Sequence, residues 1–281
     1  MAGEDPMDSV KARDRDPGPR PETFATVEEC LQASESQWGQ DFFVYVNFFN
    51  TSELRVGGGF YVDVGANMPY VLSNTWFLDM CLGWKGVCIE ANRELAEVLR
   101  GTRSCIVVED CVAAEVADLH FNTPGRWHEL GYISEGNAAH ELHKLPSGGS
   151  ITTEARTCLP LSDILGREEY DVPARIQYMD IDIEGYEMEA LAGLNLERYH
   201  VDVVSIENSF HDRHYEEPMY AAGYSKVGIL GSDDMWHKPV PRSPPLHKPP
   251  NPIPETIAYK SLSEKNRLCC GQPDSCPTFN P

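Results

Sequence analysis

Five apolar runs in this chain end in acidic or amide side chains, and chemistry could reside at those ends. Asp63 sits near the carboxyl end of FYVDV, residues 60–64, and Gly65, Ala66 and Asn67 follow at once. Glu90 ends GVCIE, Glu109 and Asp110 end CIVVED, and Asp182 with Glu184 closes IQYMDIDIEG. Glu207 and Asn208 end VDVVSIEN, with His211 just beyond. In open α/β sheets, ligands bind immediately outside the carboxyl ends of the strands, so each of these groups is a candidate contact. Taken alone, residues 60–77 also fit a plain strand–turn–helix in which Gly65 is structural.

The ligand class follows from what the turns offer. The first turn lacks G-x-G-x-x-G, and a pyrophosphate needs several backbone N–H groups at a helix N-terminus. Asp-Val-Gly-Ala-Asn instead presents an acid and an amide, which suit an ammonium and a carboxylate. Glu90 can accept two hydrogen bonds from a ribose diol, and Asp110 can accept from the exocyclic amine of adenine. Together these groups describe a phosphate-free nucleoside with an amino-acid tail. S-adenosylmethionine has that shape, and its sulfonium charge suits an acidic pocket.

Alternation puts Asp180, Asp182 and Glu184 on one side of an ideal strand, the last two beside the turn. Such a cluster can serve as a general base or hold a divalent cation such as Mg. Glu207 and Asn208 could complete either arrangement, which makes Asp182, Glu207 and Asn208 a candidate metal set. His211 is a second candidate base, and equally a surface residue. Tyr186, Met188 and Glu189 read as helix surface and packing.

These groups need a scaffold. Residues 60–84 read as a βα unit whose helix starts near Ser73-Asn74-Thr75 and packs through Trp76, Phe77, Met80, Cys81 and Trp84. Asn92 is placed to cap a helix through Leu95, Val98 and Leu99, with Gly101 as its C-terminal stop. Strands alternating with helices predict a mostly parallel sheet. SKVGILGSDDMWHK reads as two strands around a turn, an antiparallel pair. Residues 1–24 are charged and Pro-rich and predict a disordered tail. Residues 25–237 form the folded domain, interrupted by an irregular segment, 123–150, read as a substrate-side insertion. Residues 238–281 are a Pro-rich, Cys-containing tail.

Asp and Glu number 44 against 23 Lys and Arg, a formal charge of −21. That balance disfavours nucleic acid and anionic membrane surfaces as partners. No apolar run is long enough to span a membrane, and the N-terminus lacks the apolar core of a secretory signal. Of nine cysteines, the first six show no framework spacing, and several sit in apolar runs. They read as buried free thiols in a reducing, cytoplasmic compartment. The tail cysteines in LCCGQPDSC lack a fourth ligand at a metal-binding spacing.

VDVGAN, GWKGVCIEAN, MDIDIEGYEMEAL and VSIEN, in this order, resemble the FkbM-type family of S-adenosylmethionine-dependent methyltransferases. The resemblance covers roughly residues 55–237. It implies a Rossmann-like class I methyltransferase fold: α/β, a mostly parallel seven-stranded sheet with an antiparallel edge pair, and helices on both faces. It implies methyl transfer to a hydroxyl of a small molecule such as a sugar or natural product. Carried onto this chain, Asp63, Gly65 and Asn67 would hold the methionine end of the cofactor. Glu90 would hold the ribose, and Asp110 with Cys111 would line the adenine. The chain departs from the family's usual pattern at Asp180, where Lys is common, and at Met68. The competing expectation is a methyltransferase-like module that binds the cofactor without catalysis and acts in protein interactions. A nicotinamide-dependent oxidoreductase is disfavoured by the missing glycine fingerprint.

Overall fold

Phe60, Val62 and Val64 alternate with Tyr61 and Asp63, and all five are buried, as a central strand covered on both faces requires. The computed structural model describes residues 12–50, 57–125, 130–136 and 150–240. Its main sheet contains β1 (Phe60–Val64), β2 (Lys85–Ile89), β3 (Ile106–Val108), β8 (Arg175–Ile181), β9 (His200–Glu207), β10 (Ser225–Leu230) and β11 (Asp233–His237). The strand order is β10-β11-β9-β8-β1-β2-β3. The pairings from β9 to β3 are parallel, and β10 and β11 form the expected antiparallel edge. The chain runs outward from β1 through β2 to β3, then returns to β8 on the other side. This makes the β1/β8 boundary a topological switch point, where such sheets bind ligands.

Helices cover both faces. Phe60, Val62 and Val64 pack in one core with residues of α4 (Leu161–Leu165), α5 (Glu187–Ala192) and α6 (Glu216–Ala221). Tyr61, Tyr178 and Val203 face the other core, beneath α1 (Val27–Ala33), α2 (Gln40–Val44) and a π-helical turn, Phe77–Cys81. Asn92 caps α3 (Arg93–Thr102): its Oδ1 accepts from the Glu94 and Leu95 N–H groups at 3.0 and 3.4 Å. Gly101 is not a stop, since α3 continues through it to Thr102.

A second sheet, in the order β4-β7-β5-β6, comes from the segment that broke the βα pattern. It joins β4 (Val112–Ala113), β5 (Ala117–Pro124), β6 (Tyr132–Ile133) and β7 (Ile151–Pro160). β5 and β7 pair antiparallel from Ala117↔Cys158 to Pro124↔Ile151. The remainder of the insertion, residues 126–129 and 137–149, lies outside the described residues, as do residues 1–11 and 241–281 of the two tails. Residues 12–24 were expected to belong to a disordered tail. They form two short 3-10 turns, and the Trp76 indole N–H donates to Pro17 O at 2.9 Å. Among the described residues, no helix is long and apolar enough to cross a membrane.

The free-thiol expectation is overturned. Cys30–Cys81, Cys88–Cys105 and Cys111–Cys158 are disulfides. Burial alone reads the same for a thiol and for half of a cystine, so apolar surroundings did not discriminate. The argument for a cytoplasmic location from reduced cysteines falls with it. Each bridge is expected to contribute about 2–4 kcal/mol. Peptide mass spectrometry should find these six cysteines resistant to alkylation in the unfolded chain until a reductant is added. Reduction should also lower the melting temperature by more than about 5 °C. Six thiols labelled before reduction, with an unchanged melting temperature, would restore the free-thiol view.

Candidate active site

A cleft open to solvent lies at the switch point against the ends of β1, β2 and β8. Gly65 makes the close approach of β1 to β8 feasible. Its φ is +87°, and a Cβ there would lie 1.9 Å from the carbonyl oxygen of Asp182. Its N–H is used within the sheet, donating to Ile89 O at 2.9 Å. Gly65 therefore offers the cleft backbone proximity and no free donor. Asn67 follows in the left-handed region, φ +51°, which Asn tolerates better than most residues.

Glu90 lines the same cleft and is held at both oxygens. Oε2 accepts from the Asn67 N–H at 2.8 Å, and Oε1 from the Asn92 N–H at 2.6 Å. Burial pushes its carboxyl up to about 7, against the downward pull of those two N–H groups. Each oxygen keeps a further lone pair for a ligand. Asp110 and Cys111 form the next part of the wall, with Cys111 bridged to Cys158.

Asp63 does not reach this cleft. It is 3% exposed and accepts from the Thr75 hydroxyl. Burial raises its carboxyl, and Arg103 and Thr75 pull it back. Arg103 organises this polar cluster behind β1. Its guanidinium donates to Asp79 (2.5 Å), Thr75 (2.9 Å), Ser73 (3.0 Å), Tyr61 (3.1 Å) and the Pro69 carbonyl (3.3 Å). Asp180, in register with Asp63, belongs to the same face and accepts from Asn74 at 2.9 Å and from Ser205 and Tyr178.

At the other end of the cleft, Asp182 and Glu184 meet Glu207, with one oxygen of each lying within 4.8 Å of the others. Consecutive left-handed residues, Glu184 at φ +56° and Gly185 at φ +97°, turn the chain here. Glu187 holds that turn: its Oε1 accepts from the Ile183 and Gly185 N–H groups at 3.1 and 3.0 Å, and its Oε2 from the Tyr215 hydroxyl at 3.2 Å. Burial, then Glu207 and Glu184, raise the Asp182 carboxyl well above the ordinary range. Beyond Glu207 a second cleft is lined by Glu187, Met188, Glu189, Phe210 and Tyr215 among others. The three carboxylates thus stand between the two clefts.

Two expected participants are placed differently. The Asn208 amide donates to Asp212 O and Asp234 Oδ2, both at 2.9 Å, its Oδ1 accepts from the Asp212 N–H at 3.2 Å, and it lines the second cleft beside Glu207. His211 is exposed and lines neither cleft. Conversely, Phe121 of the second sheet lines the first cleft, as do Tyr132 and Ile133 from the segment read as a substrate-side insertion and Tyr186, read as helix surface and packing. The apolar residues carried no signal beyond hydrophobicity inside an irregular segment. Glu187 had a usable one, an acid three residues beyond Glu184 in the same turn.

An α/β sheet with an acid-lined cleft at its switch point is a ligand-binding architecture. The model of the methyltransferase FkbM domain matches residues 63–225, more than half of the chain, and the chain belongs to this family. It is accordingly a methyltransferase, and the family implies an α/β methyltransferase fold. No curated protein and no solved structure matches the chain.

Proposed function

We propose that this chain transfers the methyl group of S-adenosylmethionine to a hydroxyl of a small molecule, such as a sugar or a natural product. One observation carries the proposal: Asn67, Glu90 and Asp110 line the same cleft as Asp182 and Glu184. Groups suited to a nucleoside and groups suited to a proton or cation thus share one space. The strand order supports a Rossmann-like class I arrangement. Glu90 accepts the ribose diol, Asn67 and the Gly65 backbone flank the methionine end, and Asp110 with Cys111 flanks the adenine. Asp63 serves from behind β1, through the Arg103 cluster.

The acceptor approaches from the side of the second cleft, across Asp182, Glu184 and Glu207. The acceptor oxygen bonds to the methyl carbon as the carbon–sulfur bond breaks, and the sulfonium becomes a thioether. Alignment of oxygen, carbon and sulfur supplies up to about 7–11 kcal/mol of the barrier reduction. The hydroxyl proton passes to the Asp182–Glu184 pair. The three carboxylates also fit a divalent cation such as Mg, which would lower the hydroxyl pKa. The charge of −21 argues against a nucleic-acid acceptor. The disulfides favour an oxidising compartment over the cytoplasm.

Two measurements test this. A metabolite screen with labelled methyl donor should yield a methylated hydroxyl compound. Calorimetry should show S-adenosylmethionine binding that Glu90→Ala weakens by at least about tenfold, since a charged hydrogen bond is worth roughly 1.5–3 kcal/mol. Unchanged affinity in that variant would remove Glu90 from the site.

A pH dependence follows from the raised carboxyl. The ionised form accepts hydroxyls, and the free protein's Glu90 titrates near 7. Below that pH the cofactor must displace a proton. Affinity should therefore fall as pH drops through 7, approaching about tenfold per unit. Above 7 it should level off. The profile of Glu90→Gln should be flat, and a flat wild-type profile between pH 5.5 and 8 contradicts the assignment.

A further inference from the structure

Asp110 lines the first cleft, and its side chain is bonded by a residue outside it. Arg167 Nη2 donates to Asp110 Oδ2 at 2.9 Å. Arg167 does not line the cleft and follows α4, whose Leu161, Ile164 and Leu165 are buried in the main core. Its other terminal nitrogen, Nη1, donates to the Tyr170 hydroxyl at 3.0 Å. A guanidinium presents its donors in a rigid planar fork, so two such bonds fix its orientation. One carboxylate oxygen of Asp110 is thereby held, and the other is left to accept from a donor in the cleft. An ionised carboxylate is an acceptor only, so it selects a ligand bearing N–H there.

We propose that Arg167 is a positioning residue that holds Asp110 to read the exocyclic amine of a 6-aminopurine nucleoside. The inference rests on the cofactor assignment above. It makes base selectivity depend on an ion pair made from outside the pocket. The wall at Cys111 is separately tied to β7, the strand before α4, by Cys111–Cys158 and by the Leu159 N–H donating to Cys111 O at 3.0 Å. Removing the Arg167 side chain therefore leaves the backbone of the wall in place.

The test is calorimetric titration of the full chain with S-adenosylhomocysteine and with its 6-deamino analogue, which carries hydrogen in place of the amine. The wild type should prefer the amino compound by about 10–100-fold, as a hydrogen bond to a charged group implies. In Arg167→Ala the preference should fall below about threefold while affinity for the deamino compound stays unchanged. Arg167→Lys should restore part of it, and Tyr170→Phe, which frees the guanidinium without deleting it, should fall between. An equal loss for both ligands in Arg167→Ala would show a merely structural role and overturn the assignment, leaving the cofactor proposal intact. If the wild type binds neither ligand, the cofactor proposal itself fails and takes this one with it.

Discussion

Arg103→Met is expected to lower folding stability by about 3–5 kcal/mol, as loss of one partner from a buried ion pair does. Arg103 and Asp79 are both 0% exposed in their side chains, and their nitrogen and oxygen lie 2.5 Å apart. Methionine fills much of the volume but leaves Asp79 charged in a dry site, its remaining donors being the Ser104 N–H and hydroxyl. It also strips a donor from Tyr61, Ser73 and Thr75. Arg103→Lys should lose nearly as much, because an ammonium cannot reach five acceptors arranged around a planar fork. Urea denaturation measures the loss. Pairing Arg103→Met with Asp79→Leu should recover a large part of it, since no unpaired charge then remains. A single-variant loss under about 1 kcal/mol would mean that the cluster is not dry.

The contrast between Arg103 and Glu90 shows what was legible. Strands announced themselves wherever both faces are buried: β1, β8 and β9 are buried over nearly their whole length, and each carries four apolar residues. β7 did not, because seven of its first eight residues are exposed or half-exposed and ITTEARTC has no apolar side to read. Glu90 and Asp110 were identifiable because they end their strands, where position alone brings a side chain to the cleft. Asp63 is still within β1, and alternation turns it to the side of Tyr61, away from Val62 and Val64. The same period that located the strand could have excluded Asp63 from the cleft. Arg103 was invisible, since nothing in LRGTRSC distinguishes a buried guanidinium from a solvated one. Disulfide partners were unreadable for a similar reason: Cys88 and Cys105 are neighbours only because β2 and β3 are.

Asp182→Asn should lower turnover by about 10²–10⁴, the usual contribution of a positioned acid–base group. The substitution keeps the side-chain shape, and the Asp182 backbone N–H still donates to Val64 O at 3.0 Å. Cofactor affinity should therefore change less than about threefold while the chemical step collapses. Glu207 meets the same cluster from the second cleft, so Glu207→Gln should act on the same step. The double variant should be little worse than Asp182→Asn alone, because groups that act as a unit are not additive. Chelator then separates the two ways the unit could work. If Mg is held there, chelation should reproduce the Asp182→Asn rate in the wild type and have no further effect on the variant. If the carboxylates act as base, chelation should leave the wild-type rate untouched. Wild-type turnover retained within threefold in both single variants would remove the cluster from the reaction.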